Sequence, residues 1–214
     1  MTSPAADPLA ARFATDEDHR IAGQYRHPQG RQQRLMVRVL LRALLARHHP
    51  TPTAPWLILR ASDGAPRLAT DDTELLVPFI SLSHSGDMVA CAISGTGPIG
   101  IDIERIRPDR PVVTLAGTAF GPLETAEVEA AGIDAFYRIW TLREALAKAS
   151  GAGFGLLMNR TDLVPATPDT PANIPSPEWD FAFWRLPEAY GLGLVRPACA
   201  SQREISAPLR LSDL

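Results

Sequence analysis

One stretch limits the fold more than any other: Pro98-Ile99-Gly100-Ile101-Asp102-Ile103-Glu104. Its strict alternation is the pattern of a strand. Ile99, Ile101 and Ile103 fall on one side, and Gly100, Asp102 and Glu104 on the other. The isoleucine side demands a core. The other side carries two carboxylates two residues apart, beside a glycine that leaves room for a close approach. Oxygen ligands fixed on a strand suit a hard cation such as Mg²⁺. An edge strand with a solvated acidic face fits the same pattern, because most charged side chains are exposed.

The rest of the chain has to supply the core. Its 214 residues, 45% apolar and 21% charged, suffice for one domain or two small ones and exclude wholesale disorder. A net charge of −3 argues against nucleic-acid binding through overall charge. No run approaches the ~20 apolar residues of a membrane span, and Met1 to Arg12 holds no signal-peptide hydrophobic region. We therefore expect a cytoplasmic protein with neither nucleic-acid nor membrane partners. Cys91 and Cys199 make no metal motif and no disulfide framework. Cys91, within the apolar run Met88 to Ile93, reads as a small core residue.

In chain order, residues 1–18 read as a poorly ordered start in which Asp16-Glu17-Asp18 caps or precedes a helix. His19 to Pro50 carries seven arginines and no Asp or Glu. Leu35, Met36, Val39, Leu40, Ala43 and Leu44 make a helical apolar stripe. Arg31, Arg34, Arg38 and Arg42 form a ridge beside it, either a solvated face or a dock for a polyanion. Arg34 and Arg31, near the helix start where anions are favoured, are the better candidates. Trp56 to Arg60 reads as a strand, Ser62 to Pro66 as a turn. Phe79 to Asp87 and Met88 to Ile93 read as a strand pair around a short turn that bears Ser83 and His84. The crowding of Ser83, His84 and Asp87 in sequence argues against a Ser-His-Asp triad, since triad members converge from distant segments, and no G-x-S-x-G elbow is present. Ser94 to Gly97 is a turn-rich join and divides the chain into halves, 1–97 and 98–214.

In the second half, Gly121-Pro122 opens a helix within residues 112–131. A helix from Asp134, as N-cap, to Ser150 stops at Gly151. Ile139, Leu142 and Leu146 face inward. Trp140, Glu144 and Lys148 share another face, on which Glu144 and Lys148 can be a plain surface ion pair. Asn159 to Asp180 holds five prolines and reads as a long surface loop with a short strand near Thr161 to Val164. Trp179 to Trp184 and Gly191 to Val195 read as a final hairpin.

Three pieces stand in a set order: Ser81-Leu82-Ser83-His84-Ser85, then Gly100-Ile101-Asp102-Ile103-Glu104, then Trp140-Thr141-Leu142-Arg143-Glu144-Ala145-Leu146-Ala147-Lys148. Together they resemble the 4′-phosphopantetheinyl transferases of the larger, surfactin-synthetase-activating class. That class shows S-x-S-H-S, G-(I/V)-D-(I/V)-E and W-(T/S)-x-K-E-(A/S)-x-x-K. Each piece alone is weak, and the order and spacing make them specific over residues 81–149.

The resemblance implies an α+β fold of two pseudo-symmetric halves. Each would be a small antiparallel sheet packed with helices, with a ligand cleft between them, in a monomer. It implies Mg²⁺-dependent transfer of the 4′-phosphopantetheine arm of coenzyme A to a serine of an acyl or peptidyl carrier protein, releasing adenosine 3′,5′-bisphosphate. Asp102, Glu104 and Glu144 would hold Mg²⁺, and Glu144 and Lys148 would be catalytic. Arg34, Arg31, Ser83, His84, Arg143 and Lys148 would contact coenzyme A. Two departures stand out. Arg143 replaces the family's lysine, which assigns it to phosphate or carrier contact instead of proton transfer. Ala65 replaces a basic residue in the family's G-K/R-P turn, here Gly64-Ala65-Pro66. The competing functions are a catalytically degenerate module that binds coenzyme A or a carrier, and another Mg²⁺-dependent phosphodiesterase.

Overall fold

The structure is a computed structural model and describes residues 8–48, 56–62, 64–165, 173–175 and 178–198. Cys199, the tail from Ser201, the Pro50–Pro55 breaker and residues 166–172 and 176–177 of the proline-rich stretch lie outside the described residues. The fold is α+β, with helices packed on small antiparallel sheets. The described chain divides at Gly95–Thr96 into two compact units. Among the described residues no helix is long and apolar enough to cross a membrane.

Residues 1–18 read as a poorly ordered start; residues 1–7 lie outside the described residues, and the described part of the first unit begins with two helices. These are α1 (Pro8–Phe13) and α2 (Asp16–Gly23). The acidic triplet forms the first turn of α2, and Thr15 caps it. The Thr15 hydroxyl accepts the Asp18 N–H at 3.2 Å, and Asp18 Oδ2 accepts the Thr15 N–H at 3.1 Å, a reciprocal capping box. The long helix α3 (Pro28–His48) is buried at Val37, Leu41 and Leu45 as well as at Leu35, Val39 and Ala43. It is wider in its apolar surface than the expected stripe because it has two partners. Leu35 and Val39 pack with Ala10 and Ala22 of α1 and α2, and Leu41 and Leu45 pack with Trp56, Ile58 and Leu68.

Strand β1 (Leu57–Arg60) pairs with β2 (Pro66–Ala69) across the Ser62–Pro66 turn, not with the later strands. Strands β3 (Phe79–Ser85) and β4 (Met88–Ser94) form a hairpin closed by Gly86-Asp87, with Gly86 at φ +55°. Ile80, Leu82, Cys91 and Ile93 pack on the α3 cluster, and burial pushes the Cys91 thiol up to about 12.

The second unit is a four-stranded antiparallel sheet in the order β5 (Gly100–Arg105), β8 (Tyr190–Pro197), β7 (Trp179–Leu186), β6 (Asn173–Pro175). Four helices accompany it: α4 (Val112–Ala119), α5 (Pro122–Ala131), α6 (Ile133–Ser150) and the single turn α7 (Phe154–Leu157). Its core joins Phe120, Phe136, Ile139, Leu142, Phe181 and Val195. Helix α6 stops at Gly151, at φ +70°, as its sequence signals. Its N-cap is Gly132, so Asp134 lies in the first turn, where a negative charge suits the helix dipole. Thr161 to Val164 forms no strand; its backbone is bonded to α5 and α6 side chains instead, as described below.

Candidate active site

Strand β5 is an edge strand of its sheet, yet its acidic side is not simply solvated: Asp102 is only 5% exposed. That side faces α6. A Cβ placed on Gly100 would lie 1.8 Å from the carbonyl oxygen of Ala145, and one on Gly193 would lie 2.8 Å from the Thr141 carbonyl carbon. Gly193 pairs with Asp102 across β5 and β8. The room that Gly100 leaves is therefore filled by the backbone of α6. Glycines on the sheet and Thr141, Ala145 and Ala149 on the helix let the two lie in close contact.

This approach brings the predicted residues together. Lys148 Nζ donates to Asp102 Oδ1 at 2.8 Å and to the Ile101 carbonyl at 2.9 Å, so Lys148 is tied to the strand and is not merely a surface partner of Glu144. Glu144, one turn earlier, is half-buried. Its carboxyl is pushed up to about 7, first by burial, then by the negative charge of Asp102 and, less, of Glu104, against the opposing pull of Lys148. Asp102, Glu104, Glu144 and Lys148 thus share one electrostatic neighbourhood. Among the described residues no three His, Cys, Asp or Glu side chains converge as a ready-made metal cage. The donor set nevertheless fits Mg²⁺ in its chemistry. It is all oxygen, crowded enough in negative charge to raise Glu144, and Mg²⁺ needs only one or two carboxylates when phosphates and water complete its shell.

Arg143 departs from expectation. Its side chain is 1% exposed and paired with Glu124 at 2.6 Å. On a helix, neighbours in sequence point about 100° apart, so Glu144 faces the strand while Arg143 turns into the core. A ligand contact by Arg143 is corrected to an internal one.

In the first unit the arginine ridge splits in two. Arg38 and Arg42 both bond to Asp18, which is fully buried, and Arg42 also reaches the Trp56 carbonyl at 2.9 Å. Burial pushes the Asp18 carboxyl up, but the bonds from Arg42, Arg38 and Thr15 prevail and hold it at about 2. These two arginines are held inward on one buried carboxylate, which offsets one of their two charges, and their side chains are largely covered. Arg31 and Arg34 do not take part. The Arg31 Nε donates to the Tyr25 carbonyl at 2.6 Å, and the Arg34 guanidinium lies 4.9 Å from the Tyr25 ring centroid, which leaves their charge uncancelled by that carboxylate. Ser83 and His84 lie on strand β3, not in a turn. Ser83 is buried, and His84 shares the face of Ile80 and Leu82 and pairs with Val89. Gln29 and Gln33 of α3 both donate to the Gly86 carbonyl, at 2.9 and 2.7 Å. They fasten the His84 end of the hairpin to the first turns of α3, where Arg31 and Arg34 stand.

Sequence reasoning missed Glu124, Asp162 and the role of Gly193. The Gly191-x-Gly193 alternation on a strand was the one available signal, since paired glycines mark a face that another backbone approaches. Nothing in the local pattern marks Glu124 as the partner of a residue nineteen positions away.

A family model for the 4′-phosphopantetheinyl transferase superfamily matches residues 98–195. The chain is similar to HetI, a 4′-phosphopantetheinyl transferase of Nostoc sp., being 31% identical over 176 residues, 80% of this chain and 73% of that protein. It is similar to AcpT, a 4′-phosphopantetheinyl transferase of Escherichia coli, at 36% identity over 130 residues, 58% of this chain and 61% of that one. A Synechocystis sp. protein to which the same transferase name is provisionally attached is 31% identical over 141 residues, 64% of this chain and 56% of its own length. The chain thus spans little more than half of two of these relatives and about three quarters of HetI.

Proposed function

This chain belongs to the 4′-phosphopantetheinyl transferase superfamily, and from that premise we propose that it moves the 4′-phosphopantetheine arm of coenzyme A onto a serine of an acyl or peptidyl carrier protein. We place it in the larger, surfactin-synthetase-activating class. The observation that carries the reading is the close packing of α6 on β5, which bonds Lys148 to Asp102 and puts Glu144 within the electrostatic reach of Asp102, Glu104 and Lys148.

In this reaction the serine oxygen bonds to the phosphorus that bears the arm. The bond from that phosphorus to the bridging oxygen breaks, and adenosine 3′,5′-bisphosphate leaves. Glu144 takes the serine proton. Without metal its carboxyl is pushed up to about 7 by burial and by the charges of Asp102 and Glu104, and Mg²⁺ bound beside it would favour the ionised form that accepts the proton. Lys148, anchored on Asp102 and the Ile101 carbonyl, holds positive charge where the phosphate oxygens gain negative charge. Asp102 with Glu104 and Glu144 would hold Mg²⁺, which when bound supplies charge neutralisation at the diphosphate. In the first unit, Arg34 and Arg31 would receive phosphate groups of coenzyme A, and Ser83 and His84 would contact it from β3. Arg143 has no part in ligand binding.

The test is intact-mass spectrometry of apo carrier proteins of the fatty-acid, polyketide and peptidyl kinds, incubated with this protein, coenzyme A and Mg²⁺, with an EDTA control. Gain of one phosphopantetheine mass that EDTA abolishes is expected. No gain on any carrier, with coenzyme A still bound, would replace the transferase by a degenerate binding module.

A further inference from the structure

The buried Arg143 and Glu124 have no place in the chemistry above, yet they organise the ground next to it. Arg143 Nη1 donates to Glu124 Oε2 at 2.6 Å and to the Thr161 carbonyl at 2.8 Å. Its Nη2 donates to the carbonyls of Leu157 at 2.8 Å, Ala119 at 3.1 Å and Leu156 at 3.3 Å. Ala119 ends α4, and Leu156 and Leu157 end α7, so these are last-turn carbonyls with no partner inside their own helices. Glu124, 2% exposed, takes its remaining bonds from backbone. The N–H groups of Leu163 and Val164 reach Oε1 at 3.0 and 2.9 Å, and that of Gly121 reaches Oε2 at 3.2 Å. Asp162 Oδ1 accepts the Glu124 N–H at 3.0 Å, capping α5 from a distant segment because Gly121 has no side chain to do so.

We propose that Arg143 and Glu124 are a positioning pair that fastens residues 156–164 and the α4–α5 corner to the turn of α6 bearing Glu144, and so sets the placement of the site without touching ligand. The effect on catalysis rests on the transferase reading; the fastening does not. Lysine at 143 is not equivalent. Its single nitrogen carries three donors on one centre and cannot span Glu124, Thr161, Ala119 and Leu157 as a planar guanidinium does.

The experiment uses the whole chain as wild type, R143M, R143K, E124Q and R143M/E124Q, with two readouts. Amide hydrogen exchange reports residues 156–164 and 140–148. Steady-state kinetics with coenzyme A and an apo carrier separates kcat from KM. Expected in each single variant is a loss of protection in 156–164 of about tenfold or more, and a fall in kcat of roughly 10- to 100-fold. KM for coenzyme A should stay within about twofold, and the double variant should be no worse than the worse single one, because a pair acting as a unit is lost once. Wild-type protection of 156–164 in R143M would overturn the proposal, as would a raised KM with unchanged kcat, the mark of direct ligand contact. Should R143M not fold, R143K decides by the same criteria. If the wild type modifies no carrier, the transferase reading fails while the exchange measurement still decides the pair.

Discussion

Replacing Glu144 by glutamine should make this protein more stable at alkaline pH while disabling it. The carboxyl is held at about 7 instead of the ordinary 4.5, because burial and the charges of Asp102 and Glu104 oppose its ionisation. A group whose proton affinity is raised on folding costs nothing below its unfolded value, where it is protonated in both states. Between 4.5 and about 7 the unfolded chain ionises first, so stability falls as pH rises, and above about 7 the penalty is constant. At about 1.4 kcal/mol per tenfold change in proton affinity the full penalty is about 3 kcal/mol. Water still reaches part of the side chain, and screening there reduces it to about 2 kcal/mol. Glu144→Gln, neutral and of the same shape, removes this penalty. Thermal unfolding in EDTA without coenzyme A should show the variant melting about 4–8 °C above wild type at pH 8 for a chain of this size. The two proteins should coincide at pH 4. A gain independent of pH, or none at pH 8, would refute the argument, since it would mean that Glu144 is not held against its charge by the fold.

Other consequences follow from the same contacts. Gly100→Ala should cost about 2–3 kcal/mol or more in urea unfolding, because the added methyl meets the Ala145 carbonyl and α6 must move off the sheet; an unchanged midpoint would show that the helix has slack. Asp18→Ala strands Arg38 and Arg42, which are 11% and 14% exposed. It should lose about 3–5 kcal/mol at pH 7, as breaking one side of a buried ion pair does. The held-down Asp18 also predicts that wild-type stability from this contact disappears as pH falls from 3.8 to about 2, read by acid titration against the Ala variant. Cys91 should resist alkylation in the folded protein at pH 8 and react after denaturation, since burial keeps it as a thiol. Arg34→Ala should raise KM for coenzyme A several-fold, and by less at high salt, if its charge receives a phosphate.

Much of the second unit was legible in the sequence because its signals are local. Alternation marked β5, the Gly-Pro step marked the start of α5, and Gly151 marked the end of α6. The hairpin of β7 and β8 lay where the apolar runs placed it. In the first unit the local signals misled where two elements compete for one segment. The Ser83-His84 stretch looked like a turn from its small polar residues. It is instead the last part of a strand, because Gly86, with its positive φ, already supplies the turn. The strand at Pro66–Ala69 was missed because proline argues against a strand interior and only the edge position tolerates it.

By itself, then, the sequence determined most elements of the second unit, the order of the three motifs and the family, since periodicity and spacing are carried by residues close together in the chain. Only the tertiary structure decided which charges remain available for chemistry. Arg34 and Arg38 look alike on a helix, as do Arg143 and Lys148. Arg38 is bound by Asp18, twenty residues earlier, and Arg143 by Glu124, nineteen residues earlier, whereas Lys148 is aimed at the strand that bears Asp102. A helix wheel gives the direction in which a side chain leaves its own helix. What waits there is set by packing between segments far apart in sequence, and for a charged group that partner decides whether it holds the fold or serves the site.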